Sequence, residues 1–245
     1  MITVKGLVLK ERTVGENGKY IDILTENGVI ELAVRGVKKI NSKSGSSAQL
    51  FAYSQFCADL QKEQYHLNSA EPIRIFYGLR DSLSKISLAC YFSELIRFCI
   101  QEKNDSRNIL RLVLNTLHYL EKNLRNEELL KSIFEFRLMS EIGFMPDVVS
   151  CRSCGKFESD ELFFNIMEGN FLCSQCFSGS DSFYMKIGQP VLSAVRHIVL
   201  TDFGMLYNFR ISENSQKVLS ALSESYVTAH LERRFKTLDF YKSLK

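Results

Sequence analysis

The chain lacks long hydrophobic runs, an apolar leader and the short motifs that mark a catalytic centre. None of its 245 residues falls in a stretch approaching the roughly 18 apolar residues a membrane helix needs. Met1-Ile2-Thr3-Val4-Lys5-Gly6 opens the chain without the apolar segment of a signal peptide. The expectation is therefore a cytoplasmic protein with no membrane partner. Nucleotide-binding glycine loops, a nucleophile elbow and a His-Glu-x-x-His helix are all missing. The four histidines, His66, His118, His197 and His230, are scattered, and Glu94, Glu135 and Glu141 fall where the solvated sides of helices are expected. An enzyme is not expected.

Acidic residues are missing from one region in particular. Between Glu31 and Asp59 there is none, while Arg35, Lys38, Lys39 and Lys43 all lie in that interval. The net charge is only +3, so this is a local cationic patch on a nearly neutral chain, the form a phosphate-binding face can take without an extreme pI. A hydrophobic content of 45% against 24% charged residues is ordinary for a globular protein that buries a core.

Cysteine supplies the sharpest positive signal. Cys151, Cys154, Cys173 and Cys176 form two C-x-x-C pairs separated by eighteen residues. Each pair places two sulfurs within reach of one tetrahedral ion, and a hairpin between the pairs would complete a closed site. Leu162-Phe163-Phe164, the turn Met167-Glu168-Gly169-Asn170 and Phe171-Leu172 supply that hairpin. Four thiolates leave no position for water, so one structural Zn2+ per chain is expected rather than a catalytic metal. A pair of disulfides would need an oxidising compartment, and Cys57, Cys90 and Cys99 lie in apolar stretches as reduced thiols do.

Hydrophobic periodicity divides the chain. Residues 1–79 read as five short strands: one through Val4, Gly6, Val8 and Lys10; Tyr20–Leu24; Val29–Val34; Leu50–Leu60; and Gln64–Ala70. Asn27-Gly28 between two apolar runs predicts a hairpin with a type I′ turn. The Gly-, Ser- and Lys-rich 35–47 segment reads as an exposed mobile loop. On the fourth strand Leu50, Ala52, Ser54, Phe56, Ala58 and Leu60 share a face, with Phe51, Tyr53 and Cys57 opposite. Five such strands predict a small closed barrel of the OB type.

From residue 80 the period becomes helical, with Leu83–Cys99, Leu110–Leu120 and Leu130–Ile142 as three helices, Asp105 or Ser106 capping the middle one. Pro190 opens another, and Ser212–Ala221 and Ser223–Leu238 form a final pair. The expected fold class is α+β: an N-terminal OB-fold DNA-binding domain, 1–79, then a helical domain, 80–245, with a zinc-binding insert at about 148–180.

OB folds grip single strands with a cationic groove and stacking rings. Arg35, Lys38, Lys39 and Lys43, with Phe51, Tyr53, Phe56 and Tyr65 nearby, fit that scheme, although at least half of these rings are expected in the barrel core. A second cationic cluster, His230, Arg233, Arg234 and Lys236, reads equally as ordinary surface charge or as an auxiliary contact, with Arg233 and Lys236 sharing a helix side.

Several stretches resemble the bacterial RecO family of recombination mediators. They are Gly6-Leu7-Val8-Leu9-Lys10, Gly15-Glu16, Leu24-Thr25, Gly28, Ala33-Val34-Arg35-Gly36-Val37-Lys38-Lys39, Leu50-Phe51-Ala52-Tyr53 and Glu71-Pro72, with Gly143-Phe144-Met145-Pro146 before Cys151-Arg152-Ser153-Cys154. The resemblance spans essentially the whole chain. It implies a non-enzymatic, nucleoid-associated helper that binds single- and double-stranded DNA, contacts the C-terminal tail of single-stranded DNA-binding protein and anneals complementary strands. With RecR it would assist RecA loading, with Arg35, Lys38 and Lys39 on phosphates and Lys43 aligned less securely. The zinc cysteines vary among relatives, so zinc would support the fold rather than the activity. The competing reading is a zinc-stabilised interaction module without direct DNA binding; a metal-assisted nuclease is the remote third.

Overall fold

The computed structural model describes all residues except 15–17, 36–41, 102 and 180–181. The chain divides into two compact units, one formed by 1–122 with 235–245 and the other by 123–234.

In the first unit, β1 (Ile2–Val14), β2 (Gly18–Thr25), β3 (Gly28–Arg35), β4 (Ala52–Gln61) and β5 (Gln64–Ile75) close into a barrel in the order β1-β2-β3-β5-β4. β4 pairs back onto β1, and the β3–β5 seam alone is parallel. That is the OB arrangement expected from the sequence. Val8, Ile21, Ile23, Leu32, Val34 and Phe56 fill the interior with Ala48, Ala52, Ala58 and Ala70. The small residues leave room for the one large ring. A short helix, α1 (Ser42–Ser47), occupies part of the expected 35–47 loop, and residues 36–41 lie outside the described residues.

Three local expectations change. Phe51, set by the alternation on the face opposite Ala52 and Phe56, is fully buried as they are. It precedes β4 with φ +62°, its N–H donating to Val8 O at 3.0 Å and its carbonyl accepting from Phe76 N at 3.3 Å. Leu60 is exposed, because it lies at the β4–β5 hairpin end beyond the core. The Asn27-Gly28 hairpin forms, but only Gly28 has positive φ, so the turn is not type I′. Thr25 Oγ1 accepts from Asn27 N and donates to Gly28 O. The carbonyls of Glu26 and Asn27 accept from Ser106 N and Lys103 N.

Helices α2 (Leu83–Cys99) and α3 (Arg107–Glu121) follow in the same unit. Leu110, Val113, Leu117 and Leu120 are all buried on α3, as periodicity predicts. Its N-cap position is Ser106, but Asp105 Oδ1 accepts the Arg107 N–H. α2 is buried through Leu88, Tyr91, Phe92, Leu95 and Ile96, while the expected Leu83 is exposed.

The second unit holds α4 (Glu127–Glu141), β6 (Leu162–Asn165), β7 (Asn170–Cys173), β8 (Tyr184–Ile187), α5 (Gln189–Leu200) and α6 (Glu213–Leu231). The β6–β7 hairpin is the expected one; β8, which pairs with β6, was not anticipated. Pro190 sits in the first turn of α5. The expected break near Leu222 does not occur, because Leu222 is fully buried in a continuous α6 with neither Gly nor Pro to stop it. The helix ends where Glu232 adopts φ +49°, and α7 (Lys236–Ser243), which belongs to the first unit, starts afresh. Arg233 and Arg234 are therefore not helical and share no helix face with Lys236. Glu135, expected on a solvated face, is fully buried against Lys131 on α4.

Candidate metal centre and nucleic-acid interface

The hairpin brings the four cysteines together. Leu162 opposes Cys173 in the β6–β7 register, which fixes the second C-x-x-C pair at the end of β7. The Gly155 N–H closes the first knuckle onto Cys151 O at 2.9 Å, with Gly155 at φ +74°; the second knuckle repeats this with Phe177 N on Cys173 O at 3.0 Å, where Cys176 N also donates. The four sulfurs lie within 4.8 Å of one another, and Cys154 Sγ is 3.7 Å from Cys173 Sγ. A tetrahedral thiolate centre with bonds of about 2.3 Å has sulfur–sulfur edges of roughly 3.8 Å. The residues thus fit one tetrahedral ion, with Cys151 and Cys173 buried and Cys154 exposed.

Electrostatics point the same way. Burial pushes the Cys151 thiol up, but N–H groups of Cys154, Cys173 and Ser153 outweigh it and bring it down to about 6. At Cys176 the Ser153 side chain acts downward, yet the neighbouring sulfurs of Cys154 and Cys173 win and raise it to about 12. Four thiolates this close cannot all ionise without a cation among them, and a metal ion held there would supply that charge.

Sequence reasoning missed Arg196. From α5 its Nε donates to Val148 O at 2.6 Å and Nη2 to Val149 O and Phe157 O at 2.9 and 2.6 Å. It ties down both sides of the first knuckle. An arginine on a helix carries no local mark of carbonyl partners so far back in the chain.

The basic stretch is set by the barrel. Arg35 ends β3 opposite Gly18 of β2, and Lys43 belongs to α1, so the described backbone places them at either end of the connection that contains the run. Lys38 and Lys39 lie outside the described residues. Two cations that sequence reasoning passed over are already partnered: Arg12 pairs with Glu31, and Lys19 reaches Glu11 at 2.9 Å and Ala48 O at 2.6 Å. Those pairings span strands and leave no local signal. Of the rings, Phe51 and Phe56 are core while Tyr53 and Tyr65 are half-buried. Tyr65 lines a cavity of about 320 Å³ on the β3–β5 seam with Val29, Glu31, Glu63 and Gln64. The histidines hold structural contacts where contacts exist: His118 Nδ1 lies 2.7 Å from Arg74 Nη2 and His230 Nδ1 3.1 Å from Tyr226 O. No helix of the described residues is long and apolar enough to cross a membrane.

An OB barrel followed by helices that carry a four-cysteine cluster able to hold a metal ion defines the class of the protein. Within that class the chain belongs to the recombination protein O family, RecO. The family's N-terminal model matches residues 1–76 and its C-terminal model residues 80–239. The chain is similar to the DNA repair protein RecO of Acetivibrio thermocellus, with 32% identity over 99% of this chain and 97% of that protein. It is also similar to the proteins of the same name from Alkaliphilus metalliredigens, 29% identical over the full length of both, and Caldicellulosiruptor saccharolyticus, 31% identical over 100% and 99%.

Proposed function

We propose that the protein is a DNA-binding recombination mediator in DNA repair that works without catalytic turnover. In this reading the barrel, 1–79, is the DNA-binding domain, and the helical part, 80–245, carries partner contacts and the ribbon, whose four thiolates hold one structural Zn2+. The protein anneals complementary single strands and, with RecR, assists RecA loading on DNA covered by single-stranded DNA-binding protein, whose C-terminal tail it contacts.

The observation that carries the reading is the join between family membership and chemistry. The longest acid-free stretch in the barrel leaves β3 at Arg35 and returns through Lys43 in α1. Annealing requires neutralising two phosphate backbones while leaving base edges free, which suits sequence-blind cations rather than base-reading groups. Arg35, Lys38, Lys39 and Lys43 are the proposed phosphate contacts. Four such contacts predict a slope of about −3 in log affinity against log salt for single strands. Replacing Arg35, Lys38 and Lys39 with Ala should flatten that slope by about 2 and weaken binding about tenfold or more, with metal content unchanged. A triple variant that keeps the original slope removes the patch from the mechanism. It would favour the other reading, an interaction module stabilised by zinc.

A further inference from the structure

A cavity of about 390 Å³ opens beside the barrel, between β1, α2 and the start of α7. It is separate from the sulfur cluster and is lined by none of the cations of the acid-free stretch. Its size falls in the range of small-molecule sites, about 300–1,000 Å³.

The wall is chemically uneven. Leu9, Leu50 and Cys90 make an apolar side. Ser93 is the polar group set into it: the residue is 4% exposed, and its Oγ has no hydrogen-bond partner among the described residues. A serine hydroxyl inside a helix ordinarily donates to the carbonyl one turn back, as Ser87 does at 2.6 Å on the same α2. A buried hydroxyl left without a partner is costly, about 1–3 kcal/mol; the oxygen is closed to solvent, and turning toward the cavity would give it a ligand acceptor.

The charged groups divide the same way. Both lining carboxylates are engaged: Glu11 with Lys19 and the Leu50 N–H, and Glu94 with Thr237 Oγ1 at 2.6 Å and Thr237 N at 3.3 Å. The cations have donors to spare. Arg97 spends only Nε on Asp22, at 2.6 Å. Lys10 and Lys236 have no ion pair among the described residues. Spare donors from three cations around one unsatisfied hydroxyl favour an oxyanion of charge near −2 over a carboxylate or a phosphodiester, each of which carries a single charge.

We propose that this cavity binds a phosphate monoester attached to a ring-sized apolar body, the chemistry of a nucleoside monophosphate. The phosphate takes Lys10, Lys236, the free end of Arg97 and the Ser93 hydroxyl, and the ring lies along Leu9 and Leu50. The site stands independently of the phosphate contacts proposed for Arg35 to Lys43. The ligand has two sources: a free nucleotide, or the 5′-phosphorylated terminal nucleotide of a DNA strand.

Isothermal titration of the full chain with AMP, adenosine and inorganic phosphate tests the chemistry. AMP is expected to bind at one per chain, with adenosine and phosphate each about tenfold or more weaker, a loss of about 1.4 kcal/mol per factor of ten. The Lys10→Gln, Lys236→Gln double variant should weaken AMP by about tenfold or more and Ser93→Ala by about threefold to tenfold, in keeping with lost charge-assisted bonds. Arg35→Ala with Lys38→Ala and Lys39→Ala should leave AMP affinity unchanged. AMP binding no tighter than adenosine or phosphate, or unmoved in the double variant, overturns the proposal. Matched oligonucleotides with 5′-phosphate or 5′-hydroxyl then assign the source. A preference that the double variant abolishes identifies the strand end; equal affinity, with AMP still bound, identifies the free nucleotide.

Discussion

Gly169 sits at the tip of the β6–β7 hairpin with φ +66°, and a Cβ there would stand 2.6 Å from Tyr226 Oη and 3.4 Å from Pro146 Cα. Its carbonyl accepts from Asp147 N at 2.7 Å, while Tyr226 donates to Phe144 O at 3.1 Å. One small residue thus lets the hairpin tip settle on α6 and on the Pro146–Asp147 segment that leads into the ribbon. Gly169→Ala meets both the left-handed backbone penalty and a contact with a held side chain. The expected loss is about 2–4 kcal/mol, a positive-φ cost of 1–3 with crowding added. Urea denaturation checks it, and Tyr226→Phe should recover part of the loss in the double variant, because the clashing oxygen is gone. The sequence marks Gly169 as a turn residue, since Gly after Met-Glu between apolar runs is local information. Its tyrosine partner comes from a distant helix, and no local pattern names it.

Helix α4 meets α6 through a buried charge cluster. Lys131 Nζ lies 3.0 Å from Glu135 Oε2, 3.1 Å from Ser220 O and 3.6 Å from Glu224 Oε2, and Ser223 Oγ donates to Glu135 at 2.5 Å. Lys131 is 2% exposed and Glu135 not at all. Desolvating both ions offsets most of their attraction, so the pair adds little net stability, but breaking it strands a buried charge. Lys131→Met alone should cost about 3–5 kcal/mol. Lys131→Met with Glu135→Leu should cost much less, and chemical denaturation of the two variants separates net stabilisation from mere mutual dependence. This cluster also shows why helix-scale reading stops short. A Lys–Glu pair four residues apart is the ordinary signature of a solvent face, so Glu135 reads as exposed; only the serines presented by α6 turn that face inward. The amphipathic α3, with Leu110, Val113, Leu117 and Leu120 on one side, was legible because its opposite face is polar. α2 was blurred because it is covered on several sides. The α6 boundary was misplaced because an αL residue such as Glu232 leaves no glycine to announce the stop.

Across the whole chain, the closed barrel was legible because five short alternating strands in so few residues have few ways to hide their edges, and the cysteine ribbon because its spacing is geometry written directly in sequence. β8 was not, since Tyr184-Met185-Lys186-Ile187 is too short to show a period and gains its identity only by pairing with β6. The barrel and the ribbon also rest on different sources of stability. The barrel closes on an apolar core that includes Val8, Ile23, Leu32 and Phe56, whereas the ribbon gathers four sulfurs that repel one another once ionised. A structural zinc contributes about 10–16 kcal/mol of apparent binding energy, comparable with the entire stability of a domain, about 5–15 kcal/mol. Removing the proposed zinc with a strong chelator at neutral pH should therefore release the 148–187 segment while the barrel keeps its fold. Hydrogen exchange read peptide by peptide decides it: amides of β6 and β7 should lose protection by orders of magnitude, with those of β1–β5 unchanged. Single-strand affinity should persist as well, because none of the proposed phosphate contacts lies in the ribbon. Loss of barrel protection on the same timescale would mean instead that the metal stabilises the whole chain cooperatively, and that the two units do not fold as separate bodies.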